Sequence, residues 1–259
     1  MSGRREDIAT GLATVRERIA AACRAAGRDP SEVTLTVVTK YFPATDVRIL
    51  ASLGVTDVGE NRHQEAAAKA AETRDLGLRW HFIGGLQSNK AAAVARYADV
   101  VESVDRPKLL AGLARGAQER ATGPLDCLVQ VNLDQGPGDA GTASAARPGP
   151  GPAAQPTDGP TPSMGRAGAS PAEVVPLAEK LAGTEGLALR GVMAVAPLGE
   201  DPRPAFARLA DVAERVRRAV PTATWISAGM SGDLEHAVAA GATHVRIGSA
   251  VLGPRPRIK

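Results

Sequence analysis

The sequence predicts an α/β fold, a (β/α)8 TIM barrel forming a single domain over 1–259 with an extra N-terminal helix, and three observations carry that expectation. Short runs rich in Val, Ile and Leu alternate with longer stretches of helical period, which favours a parallel sheet with one crossover helix per strand. Eight such runs fit within 259 residues, the usual size of a barrel of this kind. The composition, 44% apolar and 23% charged, allows a sizeable core. An open, doubly wound sheet is the competing topology.

Before the first strand, Ile8, Leu12, Val15, Ile19 and Cys23 recur at helical spacing and predict an amphipathic helix. Almost nothing follows the last strand, so this helix is the natural occupant of the eighth helical slot. Strands are predicted at 35–39, 55–59, 80–84, 100–104, 126–133, 188–195, 224–228 and 243–248. Between the sixth and seventh, Phe206, Leu209, Ala213, Val216 and Val220 form one apolar stripe, while Arg208, Asp211, Glu214 and Arg217 occupy the other face. That pattern belongs to an outer helix covering a sheet. The fifth and sixth strands begin 62 residues apart, and 136–163 accounts for the excess: 28 residues with 6 Gly, 7 Pro and no large apolar side chain. Such a segment buries too little apolar surface to offset its ordering entropy and is expected to be a disordered, low-complexity insertion.

A formal net charge of +3 and an aromatic content of 3% argue against nucleic-acid binding. Cys23 and Cys127 lack a second ligand pair, and no two of the four histidines have metal-ligand spacing with a carboxylate partner, so no metal is expected. No apolar run approaches membrane-spanning length and the first residues carry no signal-type core, so a cytoplasmic protein without membrane contact is expected. Nucleotide and serine-hydrolase motifs are missing as well.

In a barrel, strand ends and the loops after them form the functional mouth. The first strand leads into Lys40, where a partly desolvated amine can attack an aldehyde, although a solvated strand-end lysine has the same position. After the seventh strand comes Ser227-Ala228-Gly229-Met230-Ser231-Gly232-Asp233, and after the eighth Arg246-Ile247-Gly248-Ser249. These are the two loops that bind phosphate in many barrels. Alternation along the eighth strand turns Arg246 into the barrel with His244 and Gly248. Its acceptor there is either a ligand or an interior carboxylate such as Glu60 or Glu102. His81, inside a strand, reads as a hydrogen-bonded core histidine rather than a base.

The chain carries, in order, Val-Val-Thr-Lys at 37–40, Gly-Glu-Asn-Arg-His-Gln-Glu at 59–65, Trp-His-Phe-Ile-Gly-Gly-Leu-Gln-Ser-Asn-Lys at 80–90, Val-Gln-Val-Asn at 129–132, Gly-Val-Met-Ala at 191–194, Ser-Ala-Gly-Met-Ser-Gly-Asp at 227–233 and Val-Arg-Ile-Gly-Ser at 245–249. In these motifs it resembles the pyridoxal-phosphate homeostasis proteins of the YggS and PROSC type, related to the barrel domain of alanine racemase. The resemblance implies an alanine racemase N-terminal domain-like fold in which Lys40 forms an internal aldimine with pyridoxal 5′-phosphate (PLP), with Asn61 nearby. Ser227, Met230, Ser231, Gly248 and Ser249 would cradle the phosphate, and Arg246 would face the pyridine nitrogen. The family usually carries a short Lys-x-Gly loop after the fifth strand, and Arg166-Ala167-Gly168 reads as its remnant behind the insertion.

Racemase-like enzymes add a β-domain and use groups from a partner subunit, for which no residues remain before Lys259. The expectation is therefore a PLP-binding homeostasis and delivery protein without turnover of its own. It would act as a monomer and meet PLP-dependent apoenzymes transiently. An amino-acid racemase of the same fold type is the alternative, and a phosphate-binding barrel that does not use Lys40 covalently is a third reading.

Overall fold

The computed structural model describes residues 3–134, 168–197 and 199–254. Helix α1 (Arg4–Ala25) comes first and buries Ile8, Leu12, Val15, Ile19 and Cys23, the stripe visible in the sequence. The strands are β1 (Thr34–Val38), β2 (Asp57–Glu60), β3 (Arg79–Phe82), β4 (Val100–Val104), β5 (Leu125–Gln130), β6 (Leu187–Met193), β7 (Trp225–Ser227) and β8 (His244–Ile247). Each pairs in parallel with the next and β8 pairs in parallel with β1, closing the sheet into a barrel. Closure excludes the open doubly wound sheet, which would leave two edge strands unpaired.

Every crossover carries a helix: α2 (Ala44–Ser52), α3 (His63–Glu72), α4 (Ala91–Ala95), α5 (Leu110–Ala117), α6 (Val174–Ala182), α7 (Pro202–Ala219) and α8 (Leu234–Ala239). After β8 there is one further turn, α9 (Ser249–Leu252). Helix α1 packs against α8 and α9 and shares an apolar cluster with Val37, Val245 and Ile247, so it covers the outer face that β1 and β8 would otherwise expose. Helix α7 buries Phe206, Leu209, Ala213 and Val216, as its stripe requires, and Val220 packs on the same cluster from the helix end.

Strand alternation divides the side chains. Val101, Cys127, Val129 and Leu189 face the helices in the larger apolar cluster. Inside the barrel, Val100, Leu128 and Met193 form a small apolar plug. Much of the rest of the interior is polar: Thr36, His81, Glu102, Ser227 and Arg246 are all buried. Buried polar atoms cost free energy unless paired, and apart from Thr36, whose hydroxyl has no hydrogen-bond partner among the described residues, these side chains join one hydrogen-bonded network.

The predicted fifth strand reached residue 133, whereas β5 ends at Gln130 and Val131 instead bridges Ala169 in parallel. The bridge is tight. Ala169 N–H donates to the Gln130 carbonyl at 2.8 Å and Asn132 N–H to the Ala169 carbonyl at 2.9 Å. Gly168 permits it, since a Cβ there would lie 2.4 Å from the Asn132 nitrogen at a φ of 146°. The insertion at 136–163 lies outside the described residues, as do Arg166 and Ala167 of the remnant loop.

Candidate functional site

The inward alternation of Thr36 and Val38 along β1 continues to Lys40. Lys40 lines a cavity of about 380 Å³ at the C-terminal end of the barrel. Tyr41, the next residue, has a φ of 73°, a left-handed conformation that side chains other than glycine seldom adopt. The chain folds back there, with Phe42 N–H donating to the Thr39 carbonyl at 3.0 Å, and Pro43 leads into α2.

Asn61 enters the cavity just past β2, and Gly84 lets it sit there: a Cβ at 84 would lie 2.0 Å from the Asn61 carbonyl oxygen. Met230 and Ser231 from the loop after β7, with Gly248 and Ser249 from the junction of β8 and α9, form another part of the wall. The first loop is braced by Met230 N–H donating to Asp233 Oδ1 at 2.6 Å. Seven of the eight residues named from the sequence thus share one cavity. Ile83, Gln130, Met193 and Val195 also line it. Sequence reasoning missed these four, although strand alternation places each on the inward side.

Arg246 reaches the cavity from β8 and is almost fully buried. Its Nη2 donates to the Ala194 carbonyl at 2.9 Å and its Nη1 to Ser227 Oγ at 2.6 Å. Ser227 in turn donates to Glu102 Oε2 at 2.6 Å, which lies 3.6 Å from Arg246 Nη1. These contacts bear on two expectations, Ser227 as part of a phosphate cradle and an interior carboxylate, Glu60 or Glu102, as the acceptor for Arg246. Ser227 does not line the cavity: it is fully buried, with its hydroxyl taken up between Glu102 and Arg246. Of the two carboxylates considered for Arg246, Glu102 is the partner. Glu60 follows the inward-facing Gly59, so its side chain points out under α3, where Oε1 accepts from Lys69 at 2.6 Å.

Below Glu102 the network continues along the barrel interior. His81 Nδ1 is 2.7 Å from Glu102 Oε1 and its Nε2 is 3.0 Å from Asp57 Oδ1. Burial alone would raise the Glu102 carboxyl, but hydrogen bonding and charge from His81, with Arg246 and Ser227, hold it down at about 2. Burial pushes His81 down, and its two carboxylate partners override this and raise it. His81 is a buried structural histidine, as its strand position suggested. Burial lowers the Arg246 guanidinium from its ordinary value, with Glu102 opposing.

Two of the residues lining the cavity are charged, Lys40 and Arg246, and both are cations. A concave site with two cations, backbone from two glycine-containing loops and apolar walls suits a small, flat anion carrying a phosphate. Among the described residues no cluster suits a metal ion, and no helix is long and apolar enough to cross a membrane.

Comparison with known proteins agrees. The family described as "Alanine racemase, N-terminal domain" matches residues 161–256. Over 97% of its length the chain is 40% identical to the pyridoxal phosphate homeostasis protein of Mycobacterium tuberculosis strain H37Rv, of which 94% is covered. The structure of PipY from Synechococcus elongatus PCC7942 with PLP bound superposes with a TM-score of 0.72 at 31% identity, over 95% of this chain and 100% of that one. Alanine racemase from Corynebacterium glutamicum superposes with a TM-score of 0.63 at 13% identity, over 98% of this chain and 63% of that one, which shows the shared barrel fold. By its identity to these relatives over nearly its whole length, the chain belongs to the pyridoxal phosphate homeostasis protein family.

Proposed function

We propose that the protein binds PLP in the cavity at the C-terminal end of its barrel, holds it through Lys40, and serves intracellular PLP homeostasis and delivery. The observation that carries this reading is the placement of Lys40 and Arg246 in one cavity with the two loops after β7 and β8. When bound, PLP supplies an aldehyde that condenses with a primary amine, its carbonyl oxygen leaving as water.

The residues fit their roles. Lys40 Nζ is the amine at the mouth, and Asn61 flanks it. Met230, Ser231, Gly248 and Ser249 bound the phosphate, and the closeness of this wall to β1, with a Cβ at Gly248 only 3.2 Å from the Val38 carbonyl, keeps the wall free of a blocking side chain. Ser227 contributes from below, by orienting Arg246. A permanently charged guanidinium disfavours a further proton on any ring nitrogen brought against it, so Arg246 works against carbanion chemistry at a bound amino acid. This supports binding and delivery over turnover. With this reading go a monomer, a cytoplasmic location, a single domain over 1–259 and transient encounters with PLP-dependent apoenzymes.

The test is the visible spectrum of the protein with added PLP, followed by borohydride reduction and peptide mapping. The expected result is one modified lysine, Lys40, and loss of the absorption band in Lys40→Ala. Modification elsewhere would overturn the site, and steady racemisation or decarboxylation of an amino acid would overturn the non-enzymatic reading.

A further inference from the structure

We propose that Lys69 and Glu65, on α3 and outside the cavity lining, are positioning residues that grip the peptide groups on both sides of Lys40. The inference rests on the assignment of Lys40 as the attachment point. Lys69 Nζ donates to the Thr39 carbonyl at 2.8 Å, the group immediately before Lys40. It also donates to Glu65 Oε1 at 2.7 Å, and the same oxygen accepts the N–H of Tyr41, immediately after Lys40, at 2.7 Å. A ring of contacts therefore runs from the Thr39 carbonyl through Lys69 and Glu65 to the Tyr41 amide, and Lys40 is the residue it encloses. Glu60 adds a third anchor, accepting from Lys69 at 2.6 Å and from the Thr39 hydroxyl at 2.7 Å.

A salt bridge serving only to dock α3 would end on side chains. This one ends on the main chain at the one described non-glycine residue with positive φ, Tyr41. Such a conformation persists only where its surroundings hold it. Burial of the lysine and Glu60 makes the grip stiff, because neither can exchange its partners for water. The predicted consequence is a fixed approach of Lys40 Nζ to the aldehyde carbon, with the bond forming as the carbonyl oxygen leaves as water.

The experiment times the lysine-adduct absorption after mixing PLP with full-length Lys69→Met and, separately, Glu65→Ala. Binding of pyridoxine 5′-phosphate is measured beside it, since this ligand has the same ring and phosphate but an alcohol in place of the aldehyde. A positioning role slows adduct formation by about tenfold to a hundredfold while pyridoxine phosphate affinity stays within about twofold. Glu65→Gln keeps an oxygen for both contacts and should recover the rate. Glu65 is half-buried in the first turn of α3, so Glu65→Ala decides the matter if Lys69→Met does not fold. Unchanged rates in the folded variants, or equal losses for both ligands, overturn the inference. Absence of an adduct on Lys40 in the unaltered protein overturns the functional reading instead, and is seen before either variant is mixed.

Discussion

His81 shows how neighbours decide the charge of a residue. Carboxylates only accept hydrogen bonds, so its contacts with Glu102 and Asp57 require a proton on both ring nitrogens. Its titration is raised from 6.5, so its stabilising contribution is complete below 6.5 and is lost as pH rises through the raised value. Glu102 runs the other way: depressed from 4.5 to about 2, it stabilises the fold above 4.5 and loses that contribution as pH falls toward 2. His244, with its ring centroid 6.3 Å from that of His81 and 4.3 Å from that of Trp225, is pushed down to about 4 by burial and stays neutral at pH 7. His81→Leu strands two buried carboxylates and is expected to cost about 3–5 kcal/mol in denaturant unfolding at pH 6. That loss should shrink at alkaline pH, and a pH-independent loss would show that His81 is neutral in the folded protein.

At the scale of elements, α1 takes the place that a helix after β8 would fill. Its apolar stripe is the reason, and Leu12, 2% exposed against the β1–β8 side of the barrel, lies near its middle. Leu12→Ala is expected to destabilise the protein by about 2–5 kcal/mol, read from the denaturant midpoint at unchanged slope. Arg18 and Glu235 join α1 to α8 across 2.8 Å at the surface, and removing either is expected to change stability by less than about 1 kcal/mol. These elements were legible in the sequence because helical and strand periods are local. The end of β5 departs from this, because past Gln130 the chain at Val131 and Asn132 pairs with Ala169, in a segment that follows the insertion.

At the scale of the whole molecule, the cavity draws on residues at the ends of β1, β2, β3, β5, β6 and β8, so ligand binding is coupled to closure of the entire barrel. PLP at a hundred times its Kd is expected to add about 2.7 kcal/mol to the unfolding free energy, measured as a rise in Tm. Lys40→Ala should shrink that rise, and an unchanged rise would place the main binding energy elsewhere.

The sequence by itself determined the barrel, the helix in its eighth slot, the inward turn of Arg246 and part of the cavity wall. The first three follow from side-chain period along one strand or helix, and the wall residues from the resemblance of strand-end motifs to a known family. Only the tertiary structure decided that Glu102 rather than Glu60 faces Arg246, that Ser227 lies beneath the cavity, and that Lys69 and Glu65 brace the chain around Lys40. Those outcomes depend on which strand ends and helix turns meet across the barrel. Contacts between residues as far apart as Glu102 and Ser227, 125 positions in sequence, have no local period to announce them.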